Sequence, residues 1–257
     1  MDRLSEKVVL VTGATSGMGV DIARRCIEEG ARVAVSGRNR QAGIAVAENL
    51  GDRAHFVALD VTLEESWRQA IAEVVDRFGG LDVLVNNAGF AQLGNIEQLE
   101  LEALNQSYMT NTSAIFLGCK HAIAVMNQHG RKSSLINNLS ATALKPGSMT
   151  TAYAASKAAA LSLTKSIALH CAEQGYLIRC NAVLPGLVMT PMVTDTLLAG
   201  LDEAEADVAL KQMIATHPIG RMLEAEEVAN AIVYLASDES TGVTGTHIAV
   251  DGGSYIA

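Results

Sequence analysis

A chain of 257 residues with 49% hydrophobic and 18% charged residues has enough material for one large α/β domain and excludes a disordered or fibrous protein. With 28 acidic against 19 basic residues the net charge is -9, which repels nucleic acid and anionic membranes unless a basic patch intervenes, and the sequence shows no such patch. Cys26, Cys119, Cys171 and Cys180 fall at irregular spacings that suggest neither a zinc site nor a disulfide framework.

The charged start, Met1 to Lys7, runs into an apolar stretch too short for a signal-peptide core, and no apolar run reaches the roughly 18 residues of a membrane span. A cytoplasmic protein with reduced thiols is expected. In chain order, strands buried on both faces are predicted at Val8 to Val11, Arg32 to Ser36, His55 to Leu59, Val83 to Val85, Ser134 to Asn138, Leu177 to Val183 and His247 to Val250. Between them, helical spacing covers Gly17 to Glu29, Gln41 to Leu50, Glu64 to Phe78, Leu101 to Asn127, Thr151 to Glu173 and Glu224 to Ala236. This alternation predicts a single Rossmann-type domain over residues 1–257, a doubly wound parallel sheet of seven strands flanked by helices. Leu187 to Arg221 breaks the alternation with mixed apolar and acidic residues, and reads either as a substrate lid or as a plain surface helical pair.

The first strand ends in Thr12-Gly13-Ala14-Thr15-Ser16-Gly17-Met18-Gly19 and leads into an amphipathic helix. Strand, glycines and helix in that order form a seat for a dinucleotide pyrophosphate on helical N–H groups, although glycines also serve tight turns. Their spacing departs from G-x-G-x-x-G. Together with Asn86-Asn87-Ala88-Gly89, Asn111, Ser140, Tyr153-x-x-x-Lys157, Pro185-Gly186 and Asp251-Gly252-Gly253, the chain resembles the short-chain dehydrogenase/reductase family along nearly its whole length.

Tyr153 and Lys157 stand four apart in a helical stretch, so their side chains leave one face about a turn apart. An ammonium there would stabilise a phenolate and lower a phenol pKa that otherwise lies near 10, making Tyr153 an acid/base; the alternative is a packed ring beside a solvated lysine. Ser140 follows a strand at its C-terminal end, where its hydroxyl would polarise a carbonyl oxygen or merely cap a turn. The resemblance implies that Ser140, Tyr153 and Lys157 are the catalytic set. It implies Asn111 as the fourth member, bending its helix and holding a water that links the lysine to solvent, against an asparagine bonded to its own backbone.

The resemblance also assigns nucleotide contacts to Gly13, Thr15, Ser16, Gly17, Met18, Gly19, Arg38, Asn87, Ala88 and Gly89, with Tyr153 and Lys157 on the ribose side. Asp60 and Val61 look like the pair flanking adenine, unless Asp60 or Thr62 caps a helix. Pro185, Gly186, Val188 and Thr190 belong to the segment that would wrap the nicotinamide, Thr190 being also a candidate helix cap. At the end of the second strand Gly37 stands where an acid would bond the NAD ribose, and Arg38 follows. NADP(H) is therefore the preferred cofactor and NAD(H) possible, with a solvated arginine as the other reading.

Met189, Met192, Leu187, Leu197, Leu144 and Ala141 suggest an apolar substrate pocket, or ordinary packing. The expected substrate is a hydrophobic secondary alcohol or ketone of hydroxysteroid type. A 3-oxoacyl thioester and a non-catalytic nicotinamide sensor are the alternatives, and the acidic insertion and net charge -9 lean against an acidic acyl carrier as partner. The six histidines form no metal spacing. The resemblance implies a homotetramer, with His247 to Val250 and Ser254 to Ala257 at or near a subunit contact.

Overall fold

The computed structural model describes residues 2–191, 193–194 and 198–257. Seven strands, β1 (Val8–Val11), β2 (Arg32–Gly37), β3 (Ala54–Ala58), β4 (Val83–Asn86), β5 (Ser133–Asn138), β6 (Ile178–Pro185) and β7 (His247–Val250), pair in parallel in the order β3-β2-β1-β4-β5-β6-β7. The helices are α1 (Met18–Glu28), α2 (Arg40–Leu50), α3 (Glu64–Phe78), α4 (Leu101–Tyr108), α5 (Ala114–His129), α6 (Thr151–Glu173), α7 (Glu203–Ala215) and α8 (Ala225–Ala236). The doubly wound sheet read from the sequence is the observed fold.

Successive strand residues point to opposite faces, so Val8 and Leu10 join one core with Trp67, Met126 and Leu135, while Val9 and Val11 join another with Ile22, Ile136 and Ile232. Burial on both faces is why β1 reads as a continuous apolar run rather than an alternating one, and why even the polar residues of β5 are buried. The chain reverses its winding between β1 and β4, and the crevice beyond their C-terminal ends is where ligands settle in such sheets.

Two expectations need correction. β7 is only half-buried along its length and β3 exposes Ala58, because each is an edge strand with one neighbour. The helix expected over Leu101 to Asn127 is interrupted by a π turn at Met109–Ser113, between α4 and α5. Such a bulge adds a residue to one turn and bends the helix, here at Asn111. The insertion contains α7, opened by a capping box in which Asp202 accepts from the Glu205 N–H and Glu205 from that of Asp202. All four cysteines are buried. No helix among the described residues is long and apolar enough to cross a membrane.

Candidate active site

A cavity of about 1020 Å³ opens along the C-terminal strand edge, running from Gly13 and Arg38 at one end to Ser140, Tyr153 and Thr216 at the other. Its nucleotide-sized end is built from the β1 turn. Gly13 has a φ of 63°, and a Cβ there would lie 2.8 Å from the Ala88 Cα. At Gly19 a Cβ would fall 2.3 Å from the Gly13 carbonyl and 2.7 Å from Asn87 Nδ2, so the first turn of α1 can approach β1 only without a side chain. Gly17 precedes α1 with no side-chain cap, which leaves the helical N–H groups facing the cavity for an anion.

Side chains bind the strand ends to one another. Thr12 Oγ1 accepts the N–H groups of Asn87 and Ala88, each at 2.9 Å. Asn87 Nδ2 donates to the Thr12 carbonyl at 2.9 Å and its Oδ1 accepts from Asn138 at 2.9 Å, so β1, β4 and β5 are fixed relative to each other. Asn86 points away and donates to Asn137 Oδ1 at 2.9 Å, a bond beneath the sheet. The Asn-Asn-Ala-Gly segment thus stitches the sheet, and Asn87, Ala88 and Gly89 also line the cavity.

Arg38 is exposed on the cavity rim. Burial pushes the Asp60 carboxyl up, but bonds from Thr62 and the Arg38 charge bring it below its ordinary value. Asp60 caps no helix: its Oδ1 accepts from the Thr62 N–H at 3.0 Å and the Thr62 hydroxyl at 2.7 Å, and Leu63 occupies the cap of α3. A Cβ on Gly37 would lie 2.7 Å from Thr15 Cγ2, so an acid at that position requires Thr15 to turn aside.

At the other end, Ser140 leaves β5 and accepts from the Thr142 N–H at 3.2 Å and hydroxyl at 3.0 Å. The turn-cap reading of Ser140 holds, and it leaves the hydroxyl its own proton to donate. The Ser140 hydroxyl meets the phenol of Tyr153. Lys157 is buried, with its Nζ 3.3 Å from the Asn138 carbonyl and 5.6 Å from the centre of the Tyr153 ring. Burial lowers its pKa to about 8.

The expected depression of the Tyr153 phenol is absent in the protein alone: burial raises its pKa and outweighs the lowering by Ser140. A fully desolvated phenolate is costly, and a partly neutralised lysine offers it less charge.

Asn111 is buried in the π turn, and its side chain bonds other segments rather than its own helix. Oδ1 accepts the Phe90 N–H at 2.9 Å, while Nδ2 donates to the Phe90 carbonyl at 2.8 Å and to Ser156 Oγ at 3.0 Å. Asn111 lies behind the cavity wall, fastening the loop after β4 to α6, which carries Tyr153 and Lys157.

Pro185, Gly186, Leu187, Val188 and Thr190 line the cavity after β6. Thr190 offers its carbonyl to the Val193 N–H at 2.9 Å. Of the expected apolar pocket, Leu187 and Ala141 line the cavity, whereas Leu144 and Met189 are exposed outside it; Met192 and Leu197 lie outside the described residues. Phe90, Leu93, Gln106, Met213 and His217 also line the cavity and do not stand out as site residues in the sequence. Gln106 and Thr110 stand four apart on one face, a spacing that could have marked them.

The family model described as enoyl-(acyl carrier protein) reductase, a short-chain dehydrogenase/reductase model, matches residues 13–255. The chain belongs to the short-chain dehydrogenase/reductase family of oxidoreductases. It is 39% identical to a 3-beta-hydroxysteroid dehydrogenase of Comamonas testosteroni, over 97% of this chain and 96% of that protein. A 3-alpha-(or 20-beta)-hydroxysteroid dehydrogenase of Mycobacterium tuberculosis is 40% identical over 98% of this chain and 90% of its own. An NADP-dependent (R)-specific alcohol dehydrogenase of Lentilactobacillus kefiri is 37% identical over 98% of both.

Proposed function

We propose that this enzyme interconverts a bulky, hydrophobic secondary alcohol and its ketone, with NADP(H) preferred over NAD(H). One observation carries the reading: a continuous cavity has a glycine turn with uncapped helical N–H groups at one end and Ser140 beside Tyr153 at the other. The named relatives that act on hydroxysteroids support the substrate class, and the NADP-dependent relative supports the cofactor.

The residues present suit a dinucleotide. Gly13, Thr15, Ser16, Gly17, Met18 and Gly19 would hold the pyrophosphate, Asp60 and Val61 the adenine, and Asn87, Ala88 and Gly89 its ribose. Pro185, Gly186, Val188 and Thr190 would enclose the nicotinamide. Asn138 Oδ1 is buried at the wall with no partner among the described residues, and Lys157 has donors beyond its one carbonyl, both of which suit ribose hydroxyls. Arg38 would bond the 2′-phosphate, with Gly37 in place of a repelling acid. When bound, the nicotinamide supplies the hydride donor or acceptor.

The chain's own residues handle the oxygen and its proton. Ser140 donates to the substrate oxygen and Tyr153 Oη gives that oxygen its proton in reduction, or removes it in oxidation. Lys157, buried beneath the Tyr153 ring, holds positive charge near the phenol. Asn111 fixes the α6 scaffold of both. Within residues 187–221, Leu187, Val188 and Met213 would form part of the substrate cover. The protein is cytoplasmic and homotetrameric in this reading; the half-buried β7 and the exposed Met109 and Phe116 on the α4–α5 helix suit subunit contacts, which light scattering tests.

The test presents bulky cyclic ketones, small ketones and 3-oxoacyl thioesters with each reduced nucleotide and follows nicotinamide absorbance. The expected result is fastest oxidation of NADPH with bulky ketones. Turnover of thioesters alone, or nucleotide binding with no turnover, would replace the reading with one of its rivals.

A further inference from the structure

α7 forms part of the cavity wall through Met213, yet none of its residues is buried, so little apolar packing holds it in place. Its polar attachment lies just beyond its C-terminus. His217 is 6% exposed, and its Nε2 accepts the Leu187 N–H at 2.9 Å. Leu187 is the residue between Gly186 and Val188, which line the cavity after β6. Space for the ring exists because residue 186 has no side chain: a Cβ there would lie 2.7 Å from Nε2. The Leu187 carbonyl is held as well, by the Leu223 N–H at 2.9 Å, and the Ile219 N–H donates to the Gly252 carbonyl at 3.3 Å.

This geometry fixes the imidazole's protonation. An accepting Nε2 carries a lone pair, so the proton is on Nδ1, which faces the Met213 carbonyl at 3.2 Å and Thr216 Oγ1 at 3.1 Å. The Thr216 hydroxyl donates to the Met213 carbonyl at 2.7 Å, which leaves its own lone pairs toward Nδ1. A second proton would place two N–H groups against each other at Leu187.

We propose that His217 is a positioning residue for the reaction, locking the Leu187 backbone to the end of α7, and that the lock holds only while the imidazole is neutral. The role rests on the functional reading above, in which Gly186 and Val188 enclose the nicotinamide. The charged groups on the surrounding elements are engaged elsewhere, apart from Glu203, which lies in the first turn of α7, at the other end of the helix from His217. Asp251, after β7, accepts from the Gly253 and Tyr255 N–H groups and the Ser254 hydroxyl. On α7 Lys211 pairs with Asp207, and beyond it Arg221 pairs with Glu227 of α8. β6 ends in uncharged residues. An imidazolium at 217 therefore gains no partner in exchange for the bond it loses.

The test compares wild type, His217→Gln and His217→Phe at neutral and acid pH, measuring NADPH dissociation constants, ketone KM and kcat, and amide exchange over residues 185–190. Wild type should lose affinity and exchange faster at acid pH than at neutral pH. His217→Gln keeps an acceptor that does not titrate, so it should hold its affinity throughout and exchange more slowly than wild type in acid. His217→Phe should bind about tenfold more weakly at both pH values, with kcat changed less than KM. A folded His217→Phe that binds and exchanges like wild type would overturn the proposal, as would an acid loss of equal size in His217→Gln. Failure of wild type to bind any nicotinamide nucleotide would overturn the functional reading and the positioning role together. Exchange over 185–190 decides separately whether the lock exists, because it needs no ligand.

Discussion

The two walls of the cavity are held by different physics. The wall made by the ends of β1, β4 and β5 is cross-linked by side chains: Thr12, Asn87 and Asn138 bond across three strands, and Asn111 ties the β4 loop to α6. The wall made by α7 buries no residue and is fastened through His217 and a few backbone bonds. Atoms that would hold a reacting oxygen within hydrogen-bond reach in the proposed reaction sit on the first wall. Residues that would choose among substrates sit on the second. A site can thus keep its chemistry precise while its substrate wall varies.

Substitutions should sort by wall. The largest of these effects is expected from Ser140→Ala, which removes one donor to the reacting oxygen: kcat should fall about 10²–10³-fold with nucleotide affinity unchanged, as steady-state kinetics and titration would show. Next, Arg38→Ala should reduce the preference for NADP(H) by about ten- to hundredfold in kcat/KM, the worth of one charge-assisted bond. Full reversal should need Gly37→Asp as well, and the crowding against Thr15 should limit how well that double variant works with NAD(H).

Asn87→Ala should cost about 1–3 kcal/mol in urea unfolding, because it strands partners on two strands. Met213→Ala on the other wall should change stability by less than about 0.5 kcal/mol while shifting relative KM values for bulky and small ketones. Equal destabilisation by the two would erase the distinction between the walls.

The smallest expected signal is a pH trend. The Lys157 pKa falls from 10.5 to about 8 through burial, so between those values the unfolded chain holds a proton that the folded protein has released. Stability from this group therefore rises with pH across that window and is lowest below it. Lys157→Met should be more stable than wild type at neutral pH, with the gap in urea midpoints closing as pH climbs through the window. A constant gap would contradict the burial of a titrating amine.

Much of the fold was legible because the sheet is buried on both faces: β1, and β4 up to its final Asn86, are short runs of Val and Leu between helical patterns. Periodicity does not say which strand lies at an edge, so the half-burial of β7 was not visible. The π turn at Asn111 was equally hidden, since one extra residue in a helical turn leaves only a small phase shift in the apolar pattern. The residues of the proposed catalytic set stand out in the sequence by their company and by the family resemblance. The direction of the Tyr153 shift does not, because it depends on how deeply Tyr153 and Lys157 are buried. His217 does not stand out in the sequence, because it belongs to no metal-ligand spacing and its partner is a backbone N–H thirty residues away.

The proton role of Tyr153 is tested most directly by single-turnover reduction of a bulky ketone with bound NADPH, in wild type and Tyr153→Phe, with nucleotide affinity measured on the same samples. The substitution removes only the hydroxyl. Affinity should be unchanged and the rate should fall by about 10²–10⁴-fold. A Tyr153→Phe enzyme that keeps more than about a tenth of the wild-type rate would contradict the assignment of Tyr153 as the acid and base of the reaction.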